Sequence, residues 1–244
     1  MKKCFSLPVD VAWYMLDVNE KMRPAAFLDI AQELAVLGAD DLGFADRQLK
    51  DYGIVWVLAR MKAHFHRLPG HAEKMTARTW HRGLEGPFFM REFLLLDEKG
   101  EVAVSATSTW IVMETATRRA LRSEVLGQYV NLEPQCEERA METSVAKIIP
   151  PKGVELSPCT TRRALFSDID KNGHVNNVRY TIWAMDALPY ELVRERPVKE
   201  LCINFNREVL PGSEVELHTV QDGDSYYVEG RFEGQQVFIC KLDF

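Results

Sequence analysis

SDIDKNGHVNNVRY, running from Ser167 to Tyr180, is the most informative stretch of the chain. It sets Asp170, Asn172 and His174 at alternate positions. In locally extended backbone, a period of two turns all three side chains to one side. Asn176 and Asn177 follow, and asparagine is a good helix N-cap. The spacing then predicts a short helix over 178–188 that stops at Pro189. A carboxylate, an amide and an imidazole thus meet just ahead of a helix N-terminus. Unpaired N–H groups and partial positive charge at that end suit a developing oxyanion. Taken singly, each residue would read as part of a polar turn; the string as a whole points to a reaction site.

Around this stretch the second half reads as strand, turn, helix and four strands. The strands are expected at 160–167, 200–209, 214–220, 226–232 and 236–242, with Asp222-Gly223 and Glu233-Gly234 as turns between the last three. The first half has the same plan. A strand is expected over 4–16 and an amphipathic helix over 24–37, where Phe27, Leu28, Ala31, Leu34, Ala35 and Leu37 recur at helical spacing. Strands follow at 54–66, 73–80, 88–96 and 101–112. Residues 124–158, with Pro134, Pro150, Pro151 and Pro158, read as a linker. The expected domains are therefore 1–123 and 159–244, joined by 124–158.

The duplication is visible in the residues. Asp17-x-Asn19-x-Lys21 lies over Asp170-x-Asn172-x-His174, each before its helix, and Leu68-Pro69-Gly70 lies over Leu210-Pro211-Gly212. On that alignment Lys21 replaces His174, and His66 stands where the second half has Glu208. Chemistry is expected in the second half, leaving the first half free to serve as a binding wall. A long helix followed by antiparallel strands suggests a sheet curled around a helix.

Composition limits the function classes. With 244 residues, 46% hydrophobic and 27% charged, the chain is an ordinary globular one of a length that suits two domains. A net charge of −6 argues against a nucleic-acid partner. No stretch approaches a membrane span. Asp10 breaks the apolar N-terminal segment, and no small-x-small cleavage site follows it. Five scattered cysteines without a CxxC pair fit reduced thiols and a cytoplasmic location.

GxSxG, Walker and GxGxxG patterns are all missing, which disfavours an α/β serine hydrolase and a dinucleotide enzyme, and no cofactor is implied. His64 and His66 share a strand face as HxH, with His71 nearby, yet no carboxylate or cysteine at ligand spacing joins them, so a metal is not expected. Glu208, near the end of ELCINFNREVLPG, reads from spacing alone as a solvated strand-end carboxylate.

DKNGHVNNVRY at 170–180, NREV at 206–209, WVLARM at 56–61 and GEVAVSATSTWIVME at 100–114, followed by Thr117-Arg118-Arg119, occur in order along nearly the whole chain. In these the sequence resembles the acyl-ACP thioesterases of the plant and bacterial fatty-acyl type. The resemblance implies an α+β tandem (double) hotdog, two antiparallel sheets each wrapped around a long helix. It implies hydrolysis of the thioester between a fatty acyl chain and the phosphopantetheine arm of acyl carrier protein, and it leans to a homodimer. The family's catalytic residues carry over onto Asp170, Asn172, His174 and Glu208. Plant members have a cysteine directly after that glutamate; here the position is Val209, so attack by water is favoured over a thiol. The plastid transit segment of plant members is absent, which points to a bacterial-type cytoplasmic enzyme.

On this reading backbone N–H groups near Val175 and Asn176 would bind the oxyanion, and Glu208 or Asp170 would take the proton from water. Phe27, Leu28, Ala31 and Trp56 are candidate walls for the acyl chain. Arg118, Arg119, Arg162, Arg163 and Arg179 are candidates to meet the acidic carrier. The rival readings are an acyl-CoA thioesterase of the same fold, a hydratase of the same fold, and a non-enzymatic acyl-binding protein.

Overall fold

The computed structural model describes residues 4–43, 46–122, 125, 127, 129 and 133–244, with the side chains of 46 and 47 left out. It divides into two compact units, 1–22 with 26–145, and 23–25 with 146–244.

In the first unit, strand β1 (Phe5–Asp10) leads to a 3-10 turn at Trp13–Met15 and then to helix α1 (Pro24–Asp40). A short helix α2 (Asp46–Asp51) precedes β2 (Ile54–Phe65), β3 (Lys74–Glu85), β4 (Phe88–Leu96) and β5 (Val102–Glu114). These strands pair antiparallel in the order β1-β3-β4-β5-β2. The periodic residues predicted for α1 are the ones it buries: Phe27, Leu28, Ala31, Leu34 and Ala35. The helix lies close on the strands. Phe27 meets Phe65 edge-on at 6.0 Å, and a Cβ added at Gly38 would come within 3.0 Å of Thr79 on β3.

The second unit repeats the plan with β6 (Ser157–Arg163), a 3-10 turn at Phe166–Asp168, helix α3 (Asn177–Asp186) and a short α4 (Tyr190–Glu195). Then come β7 (Glu200–Phe205), β8 (Glu214–Asp222), β9 (Ser225–Phe232) and β10 (Gln235–Asp243), paired antiparallel in the order β7-β10-β9-β8-β6. The expectation of a long helix in each half needs correction. α1 has 17 residues and α3 only 10, ending at the Ala187 cap two residues ahead of Pro189. α3 still buries its apolar face through Val178, Tyr180, Trp183 and Ala184.

Packing in this unit is tight at Gly230 on β9. A methyl group there would sit 2.7 Å from Phe238 Cδ1 and 2.9 Å from Val215 Cγ1. Both neighbours are wholly buried in the core. Gly230→Ala is therefore expected to destabilise the protein by about 1–3 kcal/mol, the usual cost of overpacking. Denaturant titration checks this, and an unchanged midpoint would show that Phe238 can step aside.

Much of the stretch read as a linker is fastened to the first unit. Gln135 N–H donates to the His81 carbonyl at 2.8 Å, and Trp80 Nε1–H donates to the Glu138 carbonyl at 2.8 Å. Ala140 N–H donates to Glu92 Oε2 at 3.1 Å, and Arg139 pairs with Glu85 at 2.7 Å. The part of that linker at 124, 126, 128 and 130–132 lies outside the described residues.

The internal repeat holds at the level of single hydrogen bonds. Asp17 N–H donates to the Lys21 carbonyl at 2.8 Å, and Asp170 N–H to the His174 carbonyl at 3.0 Å. Asn19 N–H donates to Asp17 Oδ1, and Asn172 N–H to Asp170 Oδ1, both at 2.8 Å. Glu20 (φ 59°) and Gly173 (φ 83°) occupy the same left-handed position in the two turns.

Beyond the helices the repeat follows a different alignment from the one expected. Met22 N–H donates to the Pro69 carbonyl and Val175 N–H to the Val209 carbonyl, each at 2.8 Å. Ala72 N–H donates to the Val11 carbonyl just as Gly212 N–H does to that of Ala164. Pro69 thus corresponds to Val209 and Ala72 to Gly212, two residues away from the match of the two Leu-Pro-Gly motifs. The first-unit counterpart of Glu208 is Leu68, not His66.

Candidate active site

The loop before α3 folds on itself because Asp170 accepts from the backbone it precedes. Its Oδ1 takes the Asn172 N–H, and Gly173, at positive φ, lets the chain return so that its N–H reaches the Asp170 carbonyl at 3.0 Å. His174 Nδ1 stands 3.2 Å from the Val175 carbonyl and 3.9 Å from Asp170 Oδ1. A carbonyl only accepts, so Nδ1 carries the proton and a neutral His174 keeps its lone pair on Nε2. The side chains of Asp170 and His174 are half-buried, at 18% and 27% exposure. Asn172 is exposed, its amide reaching back to Asp170 Oδ2 at 3.4 Å.

The asparagines do cap the helix. Asn176 is the N-cap, its Oδ1 accepting from Val178 N–H at 2.8 Å. The backbone donors expected to hold an oxyanion are nevertheless in use. Val175 N–H is bonded to the Val209 carbonyl, and Asn176 N–H to the Asp168 carbonyl, each at 2.8 Å. Arg179 N–H is likewise bonded to the Asn176 carbonyl at 2.9 Å. That leaves Asn177 N–H as the first-turn donor with no partner among the described residues.

Glu208 lies beyond β7, which ends at Phe205, so it sits on an exposed connection and not on the strand itself. The Val175–Val209 hydrogen bond fastens that connection to the loop. Tyr180 records the result. Its phenol is pushed well up in pKa, first by burial, with the backbone of Val209 pulling it partly back and the charges of Glu208 and Asp170 adding to the rise. Both carboxylates therefore act on one hydroxyl.

The expected wall residues lie in the first unit. Phe27, Leu28 and Ala31 are buried on α1. Trp56 is half-buried, edge-on to Phe89 at 4.8 Å and packed on a cluster of Leu49, Ile54, Phe89 and Val112. Phe27 and Trp56 thus belong to separate contacts. Of the arginines named for a carrier, Arg162 pairs with Asp186 at 3.0 Å and Arg179 with Asp168 at 3.8 Å. His64 and His66 meet edge-on with ring centres 4.5 Å apart, and His66 Nε2 meets the Ser105 hydroxyl at 3.1 Å.

Tyr180 is the residue that sequence reasoning passed over. The signal was available: it closes the motif and falls three residues before Trp183 on the face α3 buries, so its hydroxyl had to enter the core beside the site.

Comparison with known proteins gives a consistent picture. The acyl-ACP thioesterase N-terminal domain family matches residues 2–129, and the C-terminal domain family matches 156–237. An oleoyl-acyl carrier protein thioesterase of Arabidopsis thaliana is 26% identical over 211 residues, covering 80% of this chain and 57% of the relative. A palmitoyl-acyl carrier protein thioesterase of Cuphea hookeriana is 27% identical over 200 residues, covering 78% of this chain and 46% of the relative. The chain spans about half the length of such plant relatives.

Among solved structures, an acyl-ACP thioesterase from Bacteroides thetaiotaomicron superposes with a TM-score of 0.88 at 24% identity, covering 99% of this chain and 98% of that one. The 12:0-ACP thioesterase from Umbellularia californica gives 0.81 at 20% identity, covering 100% and 97%. The fold is thus theirs, of the hotdog type. With both of the family's domains matched in order, the chain belongs to the acyl-ACP thioesterase family.

Proposed function

We propose that the protein hydrolyses fatty acyl-ACP thioesters to the free fatty acid and holo-ACP, with water as the nucleophile. The observation that carries this is the 2.8 Å hydrogen bond from Val175 N–H to the Val209 carbonyl. It holds the segment bearing Glu208 against the loop bearing Asp170 and His174. Val209 is a buried aliphatic residue where plant members have the cysteine, which supports water over a thiol.

Asp170 or Glu208 takes a proton as water attacks the carbonyl. His174, with its Nε2 lone pair directed away from Val175, holds the water, then takes that proton on from the carboxylate and passes it to the departing sulfur. Asn172 orients the thioester. Since Val175 and Asn176 N–H are committed elsewhere, the oxyanion draws on Asn177 N–H at the start of α3, and Val175 and Asn176 serve the substrate by shaping that end.

Each half, in this reading, is a hotdog wrapped around its own helix. The second is catalytic, and the first, through Phe27, Leu28, Ala31 and Trp56, lines the acyl chain without taking part in the chemistry. A homodimer follows from the resemblance. A cytoplasmic location is supported by five cysteines, all free. No helix of the described residues is long and apolar enough to cross a membrane.

The test is thiol release from a panel of acyl-ACPs, with acyl-CoAs of matched chain length alongside. Faster turnover of the ACP esters is expected. A preference for CoA would move the substrate to the soluble thioester, and acyl binding with no release from either would leave a binding protein.

A further inference from the structure

Tyr180 presents a contradiction as a packing residue. It is 2% exposed, and its ring is well placed, 5.1 Å from Phe238, 5.5 Å from Trp183 and 6.1 Å from Phe205. A phenylalanine would make all three contacts. Yet the chain carries a hydroxyl whose oxygen is buried and, among the described residues, completes no hydrogen bond. Val209 lies beside it without reaching bonding geometry. Burying such a group unpaired lowers stability, and a merely structural position has no reason to keep it.

The surroundings supply the reason. Tyr180 stands in the first turn of α3, directly after the capped end, with its ring 6.1 Å from that of Phe205, where the chain leaves β7 towards Glu208. The charges that act on it are those of Glu208 and Asp170, on the two segments that the Val175–Val209 hydrogen bond ties together. His174 is 3.9 Å from Asp170, and Arg179, on the same helix, is engaged with Asp168 and the Ser167 carbonyl.

We propose that Tyr180 is a positioning residue for water activation: its buried, unpartnered hydroxyl donates a hydrogen bond to the Asp170–Glu208 carboxylate pair in the substrate complex. Catalytic hydrogen bonds are often incomplete without substrate and tighten when it binds. A donor there holds the reacting carboxylate ionised and at a fixed angle to the water. This rests on the hydrolytic reading above.

Tyr180→Phe in the full chain tests it, with acyl-ACP thiol release followed across pH and thermal melting in parallel. Removing one orphan oxygen is expected to leave the melting temperature unchanged or raised. kcat is expected to fall about 10-fold or more, the size of one hydrogen bond to a charged group, with KM little changed. The carboxylate loses a donor that favours its charged form, so its pKa rises. The acid limb of the kcat profile, which reports the substrate complex, then moves to higher pH, by about one unit.

Wild-type kcat with an unmoved limb overturns the proposal, and so does a kcat loss that comes with a lowered melting temperature. Asp170→Asn and Glu208→Ala measured in the same assay separate the two levels. If both keep full turnover, the site reading fails; if either loses turnover while Tyr180→Phe does not, only the role of Tyr180 fails.

Discussion

Asp170→Asn is expected to lower kcat for acyl-ACP hydrolysis by about 10²–10⁴-fold, the usual contribution of a positioned acid–base group. The substitution keeps the atom that shapes the loop: an asparagine Oδ1 can still accept the Asn172 N–H that Asp170 Oδ1 accepts at 2.8 Å. What it removes is the negative charge beside His174, 3.9 Å away, and beside Tyr180. KM and the unfolding midpoint should therefore move little.

The fold supplies its own control. Asp17 makes the same turn in the first unit, accepting from Asn19 at 2.8 Å and from Lys21 N–H at 3.0 Å, with no imidazole on its loop. Asp17→Asn should leave kcat unchanged. An Asp170→Asn protein retaining more than about a tenth of wild-type kcat would remove Asp170 from the reaction, since even a modest acid–base role exceeds that.

The largest effect on stability is expected at Glu92, far along the chain from the chemistry. Its carboxylate is 1% exposed and accepts from Arg82 Nε at 2.7 Å, the Thr107 hydroxyl at 3.1 Å and Ala140 N–H at 3.1 Å. The Arg82 side chain is itself only 7% exposed. Glu92→Ala leaves a buried guanidinium with Glu85 as its remaining carboxylate, at 2.8 Å, and frees the 133–145 segment from one anchor. Breaking a buried pair from one side costs about 3–5 kcal/mol. Denaturant titration should show that loss, with faster proteolysis near Ala140. Glu92→Gln, which keeps an acceptor, should lose less; equal losses would show that shape, not charge, sets the cost.

Most strands and α1 were legible because their signals are local, although the strand expected over 4–16 stops at Asp10 before a 3-10 turn and the one expected over 200–209 stops at Phe205. Apolar runs bounded by turn signals marked β2, β4, β5 and β9, and the Phe88–Leu96 boundaries coincide with those expected. The Asp170–His174 loop and the Asn176 cap were legible for the same reason. What sequence did not convey depends on partners distant along the chain. Val175 N–H looked available for an oxyanion because nothing nearby says that Val209 will take it. The two Leu-Pro-Gly motifs looked equivalent because letters match without regard to register. Ala72 (φ 60°) and Gly212 (φ 82°) show where the registers truly meet. The 133–145 stretch looked like a linker because prolines and charges mark loops whether or not a neighbour holds them, and its neighbours, His81, Glu85 and Glu92, lie about 50 positions earlier.

The twin turns at Asp17 and Asp170 carry a consequence for how such a protein can change. Each is held by main-chain bonds and one carboxylate, so its shape owes nothing to the side chain four positions on, lysine in one copy and histidine in the other. Natural selection can exchange that side chain without renegotiating the scaffold. Reactivity here is a tenant of the loop, and the vacancy at Lys21 is the mark of a lodger that one copy could lose while the building stood.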